Sequence, residues 1–397
     1  MSYSFKLALA LPGGGFTGYL FEIGALAALD DLFDNGFTCN DFDLYIGVSA
    51  GAAAASLMAN RVRPGEILEA NLTGQRPYYF ERRDIFVPAM GEGLKTALRA
   101  VQQTLPLLRL YYRNRHEMTL IDLLDQAQDA LPSGLYTLEP FRRYLEATFK
   151  AQGLSNSFDG LRGELYIPAV DLETGLYVIF GEGEMRKVAI SQAITASSAA
   201  PVYFCPVRVD GRDYIDGGIA RVPFFDLPFQ KGAEFLVIVN PSFHLNLDSA
   251  GRTGASSGAL PERLRDKGFL TIAEQASRIN FAARFAQALQ TFRADFPDKE
   301  VFVISPQPTE TCLSERSFLS FRDRVHLLHC GYRSAATVVR EQFGRLRNLF
   351  ARHGVALSLA RFEERARNRI ELFTATAPLL CVSTPWGRRR AGWSSAT

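Results

Sequence analysis

The sequence is poor in the residues that bind metal ions, with five cysteines and five histidines in 397 residues. The cysteines are scattered and show no C-x-x-C spacing; they are Cys39, Cys205, Cys312, Cys330 and Cys381. A structural zinc site is therefore not expected, and reduced thiols in a cytosol are the default for such a pattern.

Long apolar runs and a charge excess are also missing. No run reaches the roughly 18 apolar residues that a membrane span needs, and the stretch MSYSFKLALALPGGG is too short and too glycine-bounded for a signal peptide. The 44 basic residues are balanced by 42 acidic ones, for a net charge of +2, so no nucleic-acid partner is indicated. With 47% hydrophobic residues, the composition favours a globular, cytoplasmic protein.

What the chain does contain is an alternation of apolar strands and helices. KLALAL (Lys6–Leu11) reads as a buried strand, and apolar residues recur at helical spacing from Gly18 onward. DLYIG (Asp43–Gly47) is a second strand, and Ser49–Asn60 a second helix. This order predicts an α/β protein with a mostly parallel central sheet.

Further elements follow along the chain. We predict a helix over 139–150, hairpins over 163–180 and 206–218, a short helix over 189–200, strands over 234–240 and 300–305, and long helices over 262–294 and 320–353. The main domain is expected over residues 1–355, with its motifs in 5–240 and a helical or α/β remainder in 241–355. Residues 356–397 should form a C-terminal helix and a disordered tail.

The first strand ends in a glycine-rich loop in which Gly13, Gly15 and Gly18 spell G-x-G-x-x-G. A dinucleotide site would need an acidic residue at the end of the next strand, and none is present there. A phosphate-binding P-loop would need G-K-(S/T) after the glycines, which is also missing. A nucleotide role is therefore not favoured.

A nucleophile motif stands at the end of the second strand. Gly47-Val48-Ser49-Ala50-Gly51 is G-x-S-x-G between a strand and a helix, which is the context of a nucleophile elbow. Ser49 would also sit at the positive end of the following helix. The alternative interpretation is a tight turn with an N-capping serine.

The same strand order gives the glycine loop a second interpretation. Successive glycines can aim several backbone N–H groups at one point and so form an oxyanion hole. Gly13, Gly14, Gly15 and Phe16 are the candidates, and Gly18 supports the turn. Parallel strands would bring this loop and Ser49 to the same edge of the sheet.

A serine nucleophile needs a base. Among the histidines, His244 is the best placed for a triad, and His116 lies in an irregular region. The stronger candidate is Asp216 in YIDGG, where Gly217 and Gly218 follow it; burial beside a serine would raise its pKa toward that of a general base. A plain turn is the alternative for Asp-Gly-Gly.

These motifs together resemble the patatin-like phospholipase family. Gly13–Gly18 is similar to its G-G-G-x-(R/K)-G loop, Gly47–Gly51 to its nucleophile motif and Asp216–Gly218 to its D-G-(G/A), and the stretch AITASSAAPVYFCPVRVDGRDYIDGG is similar to the segment before the last motif. The resemblance implies a three-layer α/β/α fold and a Ser49–Asp216 dyad without histidine. It also implies hydrolysis of fatty-acyl esters of lipids, as by a phospholipase A or lysophospholipase, with no metal and no cofactor.

The chain departs from the family pattern at three places. Thr17 stands where the family has Arg or Lys, Pro12 replaces a small or acidic residue, and Arg221 replaces a short polar one. The missing positive charge at Thr17 puts in doubt how the loop is braced, but not its backbone donors.

Two segments raise the question of membrane contact. Leu94–His116 is rich in leucine and tyrosine and carries five basic residues and no acidic one. Such a segment suits peripheral binding to an anionic membrane, or a helix packed on the body of the protein. Arg76–Phe86 is a candidate hydrophobic flap or a packed loop. Alternative functions are an acyl-CoA thioesterase or acyltransferase, a non-catalytic lipid-binding protein, and a trigger-regulated effector. The oligomeric state is left open.

Overall fold

The structure is a computed structural model. It describes residues 6–89, 133–219, 226–242, 268–306, 317, 319–321 and 323–381. Several sequence predictions fall outside these ranges: the basic segment 94–116 with His116, the positions of Arg221 and His244, and the tail after residue 381.

The strands form one large and one small sheet. In chain order the strands are β1 (Lys6–Leu11), β2 (Leu44–Gly47), β3 (Val87–Pro88), β4 (Gly134–Thr137), β5 (Glu164–Asp171), β6 (Tyr177–Phe180), β7 (Val202–Phe204), β8 (Val207–Val209), β9 (Arg212–Asp216), β10 (Ala233–Val239) and β11 (Glu300–Ile304). The large sheet has the order β11-β10-β1-β2-β5-β9-β8, and β6 also pairs with β5. Its pairs from β11 to β5 are parallel, whereas β6, β8 and β9 add antiparallel pairs.

The helices lie on both faces of this sheet. They are α1 (Gly15–Leu32), α2 (Ala50–Ala59), α3 (Pro64–Thr73), α4 (Arg82–Ile85), α5 (Glu139–Ala151), α6 (Ile190–Ser197), α7 (Asp226–Gln230), α8 (Phe269–Asp295), α9 (Arg324–Ala351) and α10 (Leu359–Cys381). Each interval between parallel strands is bridged by at least one of them, as parallel connections require.

The side-chain alternation of β1 divides the core into two layers. Leu7, Leu9 and Leu11 pack with α1, α2 and α9 on one face, whereas Ala8 and Ala10 pack on the other face with α7 and α8. Burying each leucine stabilises the fold by about 1.5–3 kcal/mol. The predicted fold class, a mostly parallel sheet between two layers of helices, is confirmed.

Strand β5 is the element that brings distant parts of the chain together. Its first half pairs with β2, where Ile46 lies opposite Tyr166, and its second half pairs with β9, where Ala169 lies opposite Asp216. Strand β6 also pairs with Ala169 and so occupies the other edge of β5. Strand β9 therefore pairs with β5 just beyond the point where β2 ends. This places Asp216 beside the turn that contains Ser49.

The C-terminal helix α10 packs against the first helix. Arg369 forms an ion pair with Asp31 of α1 at 3.2 Å, and the Tyr332 hydroxyl of α9 donates to the same carboxylate at 2.9 Å. Arg365 donates to the carbonyl oxygens of Asp31 and Phe33. Three helices are thereby tied to one buried carboxylate.

Two predictions about the chain need correction. Helix α1 begins at Gly15 rather than after Gly18, because the turn out of β1 is completed by Gly13 and Gly14. Cys39 and Cys205 are buried and form no disulfide, but Cys330 is disulfide-bonded, so the expectation of reduced thiols is wrong at that residue. Within the described ranges, no helix has the length and apolar character needed to cross a membrane.

Candidate active site

Ser49 occupies a strained turn between β2 and α2. Its backbone has φ 54° and ψ −131°, a conformation that a non-glycine residue adopts at a cost and that is typical of a nucleophile elbow. A side chain at Gly47 would collide with α2, and one at Gly51 would collide with the carbonyl oxygen of Leu11. The two glycines of G-x-S-x-G are thus required because backbone passes close on either side of the serine.

The alternative role of Ser49 as a simple helix cap is not what the structure shows. Its side chain makes no capping hydrogen bond to α2, and its hydroxyl lies close enough to the Asp216 carboxyl group to favour the ionised form. The Ser49 N–H donates to Ser197 Oγ at 2.9 Å, and Ser197 Oγ donates to the Pro168 carbonyl at 2.6 Å. The turn is therefore held from behind by α6 and β5.

The glycine loop wraps around the same turn. Gly13, Gly14 and Gly15 have φ values of 80°, 116° and 66°, which favour glycine because other residues rarely adopt them. A side chain at Gly13 would strike the Val48 carbonyl, and one at Gly18 would strike the Gly13 carbonyl. The loop and the serine turn are consequently in direct backbone contact.

The N–H groups of this loop differ in their availability. The Gly13 N–H donates to Glu22 Oε1 at 2.7 Å, so the expectation that Gly13 supplies an oxyanion donor is corrected: its N–H points into the protein. The first backbone hydrogen bond of α1 is donated by Gly18 to Gly14. The N–H groups of Gly14, Gly15 and Phe16 precede it and have no partner within the helix.

Glu22 braces the loop from below. It is fully buried, and burial raises the pKa of its carboxyl group well above the ordinary value, against the opposing effect of the Gly13 N–H. Its second oxygen, Oε2, is buried and has no hydrogen-bond partner in the part of the chain that the structure describes. Thr17, where a cation is missing from the family pattern, is buried and lies 3.5 Å from the Gly14 carbonyl through Oγ1. A buried carboxyl group, rather than a cation, supports this loop.

Asp216 closes the arrangement. It is 8% exposed and ends β9, its N–H donates to the Ala199 carbonyl at 3.0 Å, and its Oδ1 accepts the Gly218 N–H at 2.8 Å. Burial raises the pKa of Asp216 to about 6, and the Ser49 hydroxyl and the Gly218 N–H act in the opposite direction. A carboxylate with this pKa can accept a proton near neutral pH.

Gly217 and Gly218 serve this carboxylate in different ways. A side chain at Gly217 would strike the Pro168 carbonyl of β5. One at Gly218 would lie 3.2 Å from Asp216 Oδ1, close to where its N–H now donates. The sequence D-G-G is therefore needed for β9 to leave the sheet while the carboxylate keeps its backbone donor.

A cavity of about 540 Å³ opens over Ser49, Asp216 and the glycine loop, a size suited to a small organic ligand. Its apolar wall consists mainly of aromatic side chains: Phe16, Tyr19, Phe80, Phe86, Phe141 and Phe321. Its polar wall is formed by one face of α8 and contains Glu274, Ser277, Arg278, Asn280 and Arg284. The segment 76–86 contributes Phe80, which is buried against Phe141 and Tyr144 and so packs as a wall.

The histidines that the structure describes do not line the cavity. His326 and His329 lie on α9, and burial lowers the pKa of His329 to about 4. Within the described residues, no three His, Cys, Asp or Glu side chains converge in a way that could hold a metal ion.

Three contributors to the site carried no recognisable motif in the sequence. Ser197 supports the serine turn, Glu22 supports the glycine loop, and Arg284 of α8 contacts the Asp-Gly-Gly loop. Each acts on a backbone group far away along the chain, and only the folded structure shows which one.

Fold and site together define the class: an α/β protein with a serine turn and a glycine loop at the carboxyl edge of a parallel sheet. The family model described as patatin-like phospholipase matches residues 9–227, more than half of the chain. The chain belongs to the patatin-like phospholipase family.

Solved structures give weaker matches. VipD from Legionella pneumophila is 14% identical, with 85% of this chain and 67% of that chain covered and a TM-score of 0.35. The type III effector protein ExoU is 13% identical, with coverage of 85% and 53% and a TM-score of 0.37. ExoU with SpcU, from the type III secretion system of Pseudomonas aeruginosa, gives 14% identity, coverage of 85% and 53%, and a TM-score of 0.32. The chain thus spans about half the length of ExoU, and at these TM-scores the matches carry no argument about function.

Proposed function

We propose that this protein is a lipid acyl hydrolase of the phospholipase A or lysophospholipase type that uses a Ser49–Asp216 dyad. The observation that carries the proposal is the placement of Ser49 beside the buried Asp216 in one cavity, where the pKa of the carboxyl group is raised to about 6. A hydroxyl that lies beside such a base, in a strained turn at a helix N-terminus, is a candidate nucleophile.

The reaction would proceed in two halves. Asp216 takes the hydroxyl proton as Ser49 Oγ attacks the ester carbonyl carbon, and the N–H groups of Gly14 and Gly15, with Phe16 or Ala50, stabilise the oxyanion. The tetrahedral intermediate collapses, the leaving alcohol receives the proton from Asp216, and an acyl-serine remains. Asp216 then deprotonates a water molecule, whose attack on the acyl carbon releases the fatty acid, and Asp216 returns the proton to Ser49 Oγ. Each step uses only this chain and water.

The cavity supports an acyl ester as the substrate class. Its aromatic wall offers an apolar environment that an aliphatic chain would favour. The reacting groups lie where this wall meets the polar face of α8, as expected for an ester that joins an apolar chain to a polar alcohol. Peripheral contact with a membrane follows from such a substrate and forms part of the proposal, as does a cytoplasmic location.

The decisive experiment measures hydrolysis of a phospholipid and lysophospholipid panel by mass spectrometry. We expect Ser49→Ala and Asp216→Asn each to lower the rate more than about 10³-fold, with unchanged circular dichroism. Matched controls are Ser56→Ala, which removes a buried hydroxyl bonded to Ala53 within α2, and Asp213→Asn, which changes a partly exposed carboxylate of β9. Both controls should stay active.

A fluorophosphonate probe gives a second readout that does not depend on the choice of lipid. It should label the wild-type chain at Ser49 and fail to label Ser49→Ala. Absence of labelling in the wild type would favour a non-catalytic lipid-binding protein. Turnover of acyl-CoA with no turnover of any lipid in the panel would favour the thioesterase or acyltransferase alternative.

A further inference from the structure

Helix α8 lies outside residues 9–227, which match the family, yet one of its side chains reaches the Asp-Gly-Gly loop. Arg284 Nη1 donates to the Ile219 carbonyl at 2.7 Å, and Arg284 Nη2 donates to the Gly218 carbonyl at 3.1 Å. The guanidinium therefore binds the carbonyl groups of two consecutive residues, which follow Asp216 by two and three positions.

The two residues that Arg284 binds, Gly218 and Ile219, also contact Asp216. The Gly218 N–H donates to Asp216 Oδ1 at 2.8 Å, and the Ile219 N–H donates to the Asp216 carbonyl at 3.3 Å. Gly218 and Ile219 thus contact Asp216 through their N–H groups and Arg284 through their carbonyl groups. A displacement of this short loop would move the Gly218 N–H away from the carboxylate.

We propose that Arg284 is a positioning residue that fixes the Gly218–Ile219 backbone so that the Gly218 N–H stays on Asp216. The inference rests on the proposed function, in which Asp216 is the base. Helix α8, which lies beyond the residues that match the family, then contributes to the site, because the geometry of the dyad depends on the position of α8.

The chemistry of the side chain fits this task. A guanidinium presents several N–H donors in a rigid plane and can serve two carbonyl groups at once, whereas the ammonium of lysine is a flexible point donor. Arg284 Nε is buried and has no partner among the described residues, so the two carbonyl bonds are what hold the group.

The surroundings of Asp216 define what a change at Arg284 would do. The groups that act on the carboxylate are the Ser49 hydroxyl from the turn before α2 and the Gly218 N–H, and the charged side chains that line the same cavity are Glu274, Arg278 and Arg284 of α8. The Gly218 N–H favours the ionised carboxylate. Its loss would therefore raise the pKa of Asp216 and move the acidic limb of the rate profile to higher pH.

The test compares Arg284→Gln, Arg284→Lys and a matched control, Arg345→Gln. Arg345 also donates to a backbone carbonyl, that of Val301, but on an exposed surface. For Arg284→Gln we expect kcat to fall about tenfold or more, with KM within about twofold and the acidic limb at higher pH. Arg284→Lys should give an intermediate kcat, and Arg345→Gln the wild-type profile.

Hydrogen exchange provides a readout that does not require catalysis. In the wild type the Gly218 amide should be protected, and in Arg284→Gln its exchange should accelerate while the amides of β1 and β10 keep their protection. Wild-type Gly218 protection and an unshifted pH profile in a folded Arg284→Gln variant would overturn the inference. If the wild type itself shows no Ser49-dependent labelling or turnover, the proposed function fails, and the exchange data still decide whether Arg284 fixes the loop.

Discussion

Ser49 and Asp216 lie side by side in one cavity, and the Ser49 hydroxyl favours the ionised form of the Asp216 carboxyl group, although the two residues belong to different strand connections. They meet because β2 pairs with the first half of β5 and β9 pairs with its second half. Antiparallel β9 reaches this point with its last residue, whereas parallel β2 reaches it just before the serine turn. The two motifs are joined by sheet topology, and burial at this junction raises the pKa of the carboxyl group.

The first prediction concerns pH. Asp216 can act as a base only when ionised, and its pKa is about 6. The value of kcat/KM should therefore rise with pH, reach half its maximum near pH 6 and level off about one unit above it. A stopped assay with a neutral ester, run across buffers of constant ionic strength, measures the profile.

A matched variant tests whether histidine contributes to that profile. His244→Gln should leave the acidic limb unchanged, since the proposed dyad contains no imidazole. A limb with a midpoint near 7 that vanishes in His244→Gln would transfer the role of base to histidine.

The second prediction concerns the contact between the serine turn and β1. In Gly51→Ala the new Cβ would strike the Leu11 carbonyl and lie 2.8 Å from the Gly13 nitrogen, and neither backbone group can move alone. We expect a loss of at least about 3 kcal/mol in the free energy of unfolding. Urea denaturation followed by far-UV circular dichroism measures it.

The control for that substitution is Gly344→Ala in α9. No atom lies within 4 Å of a Cβ at this position, and alanine is favoured over glycine in a helix by about 0.5–1 kcal/mol. This variant should be as stable as the wild type or slightly more so. Equal stability of the two alanine variants would contradict the steric account of the motif.

The third prediction concerns Glu22. Glu22→Ala removes the acceptor that holds the Gly13 N–H, so the glycine loop should lose its alignment and kcat should fall about tenfold or more, with KM little changed. Glu22→Gln keeps an acceptor oxygen in nearly the same volume and should retain most of the activity. An active Glu22→Ala variant would show that the loop needs no brace.

Glu22 also makes the stability depend on pH. Its carboxyl group has a raised pKa in the folded chain and an ordinary value of 4.5 when unfolded, so above that value the unfolded state binds fewer protons. The contribution of Glu22 to the free energy of unfolding should therefore fall as pH rises. Glu22→Gln, whose amide does not ionise, should not show this fall. The Tm of Glu22→Gln minus that of the wild type should grow as pH rises above about 4.5, where the unfolded carboxyl group ionises, and level off only where the folded carboxyl group ionises. A constant difference would argue against a buried neutral acid.

The fourth prediction concerns the attachment of α10. Arg369→Ala leaves the buried carboxylate of Asp31 with the Tyr332 hydroxyl but without its cation, and we expect a loss of about 1–3 kcal/mol in the free energy of unfolding. Arg367→Ala, on the exposed face of the same helix, should change stability by less than about 0.5 kcal/mol. If both variants match the wild type in urea denaturation, Asp31 does not hold the helix.

Much of the fold could be predicted because its local signals are strong. Strand β1 has the predicted bounds Lys6–Leu11, since KLALAL is apolar on both faces, as a central parallel strand requires. The hairpin of β8 and β9 turns at Asp210-Gly211, a favoured pair for such turns. The α/β class and the family are confirmed, whereas the roles of Ser49 and Asp216 stay predictions.

The parts that could not be predicted depend on contacts distant in sequence. Glu22 lies in the middle of an apolar helix, and nothing local shows that its carboxyl group turns back to Gly13. Gly13 was expected to donate to an oxyanion, but this same contact occupies its N–H. Arg284 lies in a helix rich in arginine and alanine, and its neighbours in sequence do not distinguish it from a solvated cation.

Because Asp216 lies at the end of β9, far beyond Ser49 in the sequence, the site is completed late during synthesis of the chain. Ribosomes deliver the serine turn early, the aspartate much later and α8 later still. A nascent chain, or a fragment cleaved ahead of β9, therefore holds the nucleophile without a proton acceptor. Under the proposed chemistry, such intermediates are inert toward the membranes of the cell that synthesises them, and the polypeptide can attack a lipid only after β9 has joined the sheet.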